Sequence, residues 1–276
     1  MSNEKIGATG SPTKSRNEPD TGEGGSVYPD PVSLGPVNSG PVPIVFLPGL
    51  LCDARLFDPQ VALLSGRAMV RPDGLPPADS MEEIGKQLLE MIPGEERFIA
   101  AGLSMGGIAA QELVRQAPQR VAGLVLFDTN AWPDFGDRAE RRYEKIDKAR
   151  QEGFDPVARR ELLPALIHPS RLNDCGFCDI IVSMARNTGF DTWQLHAKAI
   201  AERPDYSDTL AAWKGPALII AGKQDRLCPP DRQEHLLELL PGAGYHLLDE
   251  CGHMSTLEKP EETGRLLVDW LEASGL

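Results

Sequence analysis

A chain of 276 residues, 41% of them apolar, can bury one large core or two small ones. A formal charge of −13 argues against nucleic acid or an anionic membrane as partner, leaving a small molecule as the expected one. Five cysteines do not make a disulfide framework, and neither end carries a membrane span or the apolar run of a secretory signal, so a cytoplasmic location is expected.

Residues 1–41 are rich in Gly, Pro and Ser and nearly free of bulky apolar side chains, which predicts a disordered tail. From Pro43 the pattern changes. Pro43-Ile44-Val45-Phe46-Leu47 is a short apolar run stopped by Pro48-Gly49, the signature of a strand buried on both faces. Similar runs follow at 97–101, 123–127 and 217–221, with weaker ones at 68–71 and 245–248. Helical periodicity lies between them, at Met81 to Met91, Met105 to Ala117, Arg232 to Leu240 and Glu261 to Ala273. Strands alternating with helices predict an α/β fold, a mostly parallel sheet covered on both faces.

One interval breaks the alternation. Between Trp132 and Trp213 the pattern is helical throughout, at 137–151, 157–167, 179–186 and 192–202. Residues 42–131 and 214–276 therefore read as the α/β core, and 132–213 as a helical lid over the strand ends, where such sheets bind ligands. The first lid helix is highly charged, with a narrow apolar stripe of Ala139, Tyr143 and Ile146, and its charges read as a solvated face.

Gly102-Leu103-Ser104-Met105-Gly106 fits G-x-S-x-G between a strand and a helix. On such a turn a serine is strained and exposed, and the glycines leave room for the neighbouring strand and helix. This makes Ser104 the candidate nucleophile. Of five histidines, His253 lies on a loop after a late strand, in Glu250-Cys251-Gly252-His253-Met254, and is the candidate base. Gly222-Lys223-Gln224-Asp225 puts a carboxylate after the preceding strand, and the order Ser, Asp, His is the one expected of a nucleophile elbow. Asp128, after an earlier strand, is the competing acid. The backbone N–H of Met105 and one from the loop after the first strand, taken as Leu50, would form an oxyanion hole. Trp132 follows a strand's C-terminal end and is the candidate for substrate contact. No phosphate-binding loop or dinucleotide fingerprint appears, so no cofactor is implied. Cys175-x-x-Cys178 lacks the second pair or nearby histidines a metal site needs, so no metal is implied either.

These residues resemble the α/β-hydrolase superfamily from Pro43 to the C-terminus. The resemblance rests on Leu47-Pro48-Gly49-Leu50, on Gly102 to Gly107, on Gly222-x-x-Asp225 with Pro229-Pro230, and on Cys251 to Met254 with Glu258-x-Pro260. Arg203-Pro204-Asp205 is similar to the small-substrate branch with 3-oxoadipate enol-lactonases and pimeloyl-carrier-protein methyl esterases. The resemblance implies hydrolysis of a small carboxylic ester, lactone or thioester through an acyl-enzyme. The same three residues also suit acyl transfer, carbon–carbon bond hydrolysis or lyase chemistry, and a hydrolase-shaped receptor is the non-enzymatic alternative. There are two departures. Such proteins usually start with an antiparallel strand pair, for which the tail leaves little room, and their oxyanion loop often reads His-Gly rather than Pro48-Gly49.

Overall fold

The computed structural model describes residues 41–276 apart from 65–66, 68 and 93–96. The expected tail thus lies outside the described residues, save Pro41. Six strands are present: β1 (Ile44–Leu47), β2 (Met69–Val70), β3 (Phe98–Leu103), β4 (Val121–Phe127), β5 (Ala217–Gly222) and β6 (Gly244–Leu248). They pair in the order β2-β1-β3-β4-β5-β6, every pair parallel. Among the described residues the sheet has no antiparallel pair, and residues 1–40 before β1, where such a pair would lie, are outside them.

Within each strand, alternate residues face opposite layers. Ile44 and Phe46 of β1, Ile99 and Ala101 of β3, and Val125 and Phe127 of β4 join one buried cluster, with Leu267, Trp270 and Leu271 of the last helix. Val45 and Leu47, Phe98 and Ala100, and Leu124 and Leu126 join another, against Ile84, Leu88, Ala109 and Leu113. This two-sided burial explains the unbroken apolar runs.

The helices are α1 (Asp58–Leu63), α2 (Met81–Met91), α3 (Met105–Gln116), α4 (Arg138–Glu152), α5 (Phe154–Val157), α6 (Leu163–Leu166), α7 (Cys175–Ala201), α8 (Ser207–Ala212), α9 (Pro230–Leu239), α10 (Ser255–Glu258) and α11 (Pro260–Ser274). Ser80 caps α2 by accepting the Glu83 amide at 3.2 Å. The helix expected over 157–167 is present as an unbroken helical run over α5, a π-helical turn at Ala158–Leu162, and α6. Pro164 has no amide hydrogen for Arg160, so the regular ladder cannot run through it. The two helices expected at 179–186 and 192–202 are both present within the span of α7, and they part at Gly189, whose φ of 76° and ψ of 165° are not helical.

Between β4 and β5 the described residues form helices and loops only. Leu163, Ile167, Phe177, Ile181 and Val182 of this insert join the sheet's own cluster. A second small core holds Ile146, Ala149, Val157, Ala185 and Trp193 against Leu51. The insert is packed down on the sheet's C-terminal edge. Among the described residues no helix is long and apolar enough to cross a membrane.

Candidate active site

Because all six strands run in the same direction, the loops after β1, β3, β4, β5 and β6 emerge along one edge. Those loops carry Leu50, Ser104, Asp128, Asp225 and His253. Ser104 has φ of 55° and ψ of −114°, a conformation that costs energy for any residue with a Cβ. The surroundings fix it there. Its amide donates to the Phe127 carbonyl at 2.9 Å, and its carbonyl accepts from Ile108 N–H at 3.0 Å and Thr129 Oγ1 at 2.8 Å.

The glycines allow this close packing. A Cβ on Gly102 would lie 2.1 Å from the Gly106 carbonyl oxygen, and one on Gly106 would lie 1.9 Å from that of Leu47. Both obstacles are backbone and cannot rotate away.

His253 is buried, and its Nδ1 lies 2.7 Å from Asp225 Oδ2. The other oxygen of Asp225 accepts from the amides of Leu227 at 2.7 Å and Cys228 at 3.0 Å. Burial works against a charged imidazole, but the charge of Asp225 and its hydrogen bond outweigh it. His253 therefore titrates above its ordinary value.

Asp128, the competing acid, points elsewhere. Its Oδ1 accepts from Gly222 N–H at 2.9 Å, and its Oδ2 from Ser255 N–H at 3.1 Å and Ser255 Oγ at 2.5 Å. Burial, and then the charge of Asp225, push its carboxyl above the ordinary range. It ties β4 and β5 to the histidine loop.

Ser104 and His253 line one cavity of about 340 Å³, together with Gly49, Leu50, Leu51 and Met105. Leu51 has φ of 61°, and the turn closes through the Cys52 amide on the Gly49 carbonyl at 3.1 Å. Leu103, Ile108, Leu162, Leu166, Ile200 and Trp193 form apolar wall.

Trp132 is not on the lining of this cavity, and the expectation of substrate contact there is corrected. Its ring stacks on His235 of α9, with centroids 4.4 Å apart, and the Arg232 guanidinium sits 4.2 Å from its centre. Its carbonyl accepts from buried Arg203 at 2.9 Å, which anchors the chain before it enters α4. The tryptophan on the wall is Trp193, from α7.

The sequence reading also missed the cations. Six basic side chains but one carboxylate line the cavity, and four of those cations, Arg138, Arg141, Arg142 and Lys145, come from α4. The buried positions of α4 are Ile146 and Ala149, while Tyr143 is exposed. Part of the charge run expected as a solvated face thus faces the cavity. The spacing 138, 141/142, 145 puts these cations on one helical face, a signal the sequence did contain.

Asp225, Cys228 and His253 bring potential metal-ligating atoms within 4.8 Å of one another. Burial pushes the Cys228 thiol up to about 12, so it stays protonated, and Asp225 already holds two amides and the imidazole. The donor set suits a hydrogen-bonded pair better than a cation.

Comparison with known proteins follows this geometry. The profile of the alpha/beta hydrolase family matches residues 44–266. A protein named as carbamate hydrolase RutD, from Pseudomonas savastanoi pv. phaseolicola, is 27% identical over 212 residues, 73% of this chain and 79% of that one. A 2-hydroxy-6-oxononadienedioate/2-hydroxy-6-oxononatrienedioate hydrolase of Cupriavidus pinatubonensis is 26% identical over 223 residues, 77% and 76% of the two chains. Among solved structures, a thermophilic esterase from Thermogutta terrifontis, crystallised with malate, matches with a TM-score of 0.75 and 26% identity. That match covers 86% of this chain and 92% of the esterase.

Proposed function

The chain belongs to the alpha/beta hydrolase family, and we propose that it is a serine hydrolase acting on a small carboxylic ester, lactone or thioester. The observation that carries this is the strained Ser104 on the wall of a cavity that also holds His253, itself 2.7 Å from Asp225.

In this reading Ser104 Oγ attacks the substrate carbonyl while His253 Nε2 takes its proton. Asp225 accepts from Nδ1–H, which selects the tautomer with a free Nε2 lone pair and stabilises the imidazolium that forms. The developing oxyanion is held by the backbone N–H groups of Met105, at the start of α3, and Leu50. His253 then returns the proton to the leaving group. Water, activated by the same imidazole, hydrolyses the acyl-enzyme. The helical insert acts as a lid that bounds the substrate. No cofactor enters the scheme, and a cytoplasmic location goes with it.

A second reading keeps the three residues and changes the bond. The Cupriavidus relative's name contains a ketone and no ester, so hydrolysis of that compound breaks a carbon–carbon bond. Product analysis with a vinylogous 1,5-diketone against a matched ester separates the two.

The test of the shared chemistry is covalent. A neutral fluorophosphonate should label Ser104 in one-to-one ratio. Ser104→Ala should abolish labelling and lower kcat by several orders of magnitude. Label on another residue, or undiminished turnover in the variant, refutes the assignment.

A further inference from the structure

Helix α4 turns charge of only one sign toward the cavity. Its four acidic residues, Glu140, Glu144, Asp147 and Glu152, are all exposed and off the cavity, whereas four of its six basic residues, Arg138, Arg141, Arg142 and Lys145, line it. This happens in a chain with 41 acidic against 28 basic side chains, where an unselected lining would be expected to carry more acids than bases.

Some of these cations are already engaged. Arg142 pairs with Asp134, the cavity's one carboxylate, which also binds Arg203 at 2.9 Å, and Arg141 pairs with Asp137 at 2.7 Å. Arg138 and Lys145 are different. Both are half-buried on the cavity wall, and neither has a carboxylate partner among the described residues. Two positive charges about two helical turns apart are thus held against an apolar-walled pocket with no carboxylate partner among the described residues.

We propose that the substrate carries a carboxylate remote from the scissile carbonyl, and that Arg138 and Lys145 bind it. This deepens the hydrolase reading and rests on Ser104 being the nucleophile. A carboxylate is the smallest common organic anion, which suits a cavity of about 340 Å³, at the low end for small-molecule sites. The Arg138 guanidinium offers a planar fork for it, and Lys145 adds a point charge. Leu162, Leu166 and Trp193 then cover the methylene stretch between the two ends. The wall is thus divided into a reacting end and an anion end, so a dicarboxylic monoester or an ester of a hydroxy acid matches it better than a neutral ester.

The test compares charged and neutral substrates of similar length. One pair puts the carboxylate on the acyl side: p-nitrophenyl hemiglutarate against p-nitrophenyl valerate. The other puts it on the alcohol side: 4-acetoxybutyrate against butyl acetate. At low salt the charged member of at least one pair should lead by about tenfold or more in kcat/KM, mostly through KM. Raising the salt to about 0.5 M should shrink that ratio, because the site opens to solvent. Arg138→Gln combined with Lys145→Gln should lower the charged-to-neutral ratio at least tenfold. The salt series on the unaltered protein gives an answer even if that variant folds poorly.

A ratio at or below one in both pairs overturns the proposal, as does a ratio that persists in the variant. Labelling of Ser104 by the neutral fluorophosphonate separates the two levels. If Ser104 is labelled but charge gives no advantage, only the anion site falls. If Ser104 is not labelled, the hydrolase reading falls with it.

Discussion

Asp225→Asn is the sharpest probe of the proposed machinery, because the surrounding hydrogen bonds dictate how the new side chain must sit. Asp225 Oδ1 accepts from two amides, Leu227 N–H and Cys228 N–H, at 2.7 and 3.0 Å. An asparagine must keep its carbonyl oxygen there, since turning its NH2 toward two donors would leave both unsatisfied in a buried site. Its NH2 then faces His253 Nδ1, where Oδ2 now lies at 2.7 Å. Nδ1 must become an acceptor, the imidazole proton moves to Nε2, and the lone pair that should receive the Ser104 proton is gone. The expected loss is about 10⁴ in kcat, or ~5.5 kcal/mol at 1.36 kcal/mol per tenfold. The fold should hold, because all three partners of the side chain are kept. Steady-state hydrolysis of p-nitrophenyl acetate, read beside a thermal melt and the rate of fluorophosphonate labelling, measures it. A loss under tenfold in a well-folded variant would refute the argument. So would a larger loss from Asp128→Asn, which would move the acid to β4.

Other consequences follow from the same geometry. As the proposed base, His253 would work only when neutral, and it titrates above 6.5, so kcat/KM should rise with pH through a midpoint above 6.5 and then level off. Asp225→Asn removes the charge that holds that midpoint up while burial remains, so the residual activity should show a lower one; an unchanged midpoint would mean that another group controls the profile. Gly106→Ala places a methyl group 1.9 Å from the Leu47 carbonyl oxygen, so the strand and helix must part. It should cost about 3 kcal/mol or more in a denaturant titration, and a variant as stable as the parent would show that the elbow is looser than described.

The strands were legible because burial on both faces writes a continuous apolar run with a turn at its end. Ile44 to Leu47, closed by Pro48-Gly49, is the clearest case. The elbow that carries the proposed nucleophile was legible for a related reason: Ser104 needs glycines on either side of it, and those leave a local pattern. Trp132 shows where local pattern fails. Its place after β4 suggested the cavity, but its orientation is set by Arg232 and His235, a hundred residues further on, and by Arg203. The charges of α4 were read as solvated because composition does not say which face of a helix another segment will cover. Only the packing of Ile146 and Ala149 against the insert's own core turns Arg138 and Lys145 inward.

Glu258 belongs to the same class, and its role can be tested. The sequence offered it only as part of Glu258-x-Pro260, a family resemblance without a task. In the fold its Oε1 accepts from Gly252 N–H at 2.9 Å and Met254 N–H at 3.3 Å, on either side of His253. Its Oε2 accepts from His168 N–H at 2.7 Å, at the edge of the insert, and the His253 amide donates to the Leu166 carbonyl at 2.8 Å. One carboxylate therefore joins the histidine loop to the insert that covers it. Both its oxygens face only donors, a demand that glutamine cannot meet with a single carbonyl. In Glu258→Gln the NH2 must confront either His168 or the Gly252 and Met254 pair, leaving buried amides unpaired at a cost of about 1–3 kcal/mol. The melting temperature should drop by several degrees, roughly 2–4 °C per kcal/mol for a domain of this size. Measured well below that melt, kcat should still fall about tenfold, since the imidazole sits between the two released amides. Unchanged kcat alongside a lowered melting temperature would reduce Glu258 to a structural tie, and unchanged values of both would show that neither loop depends on it.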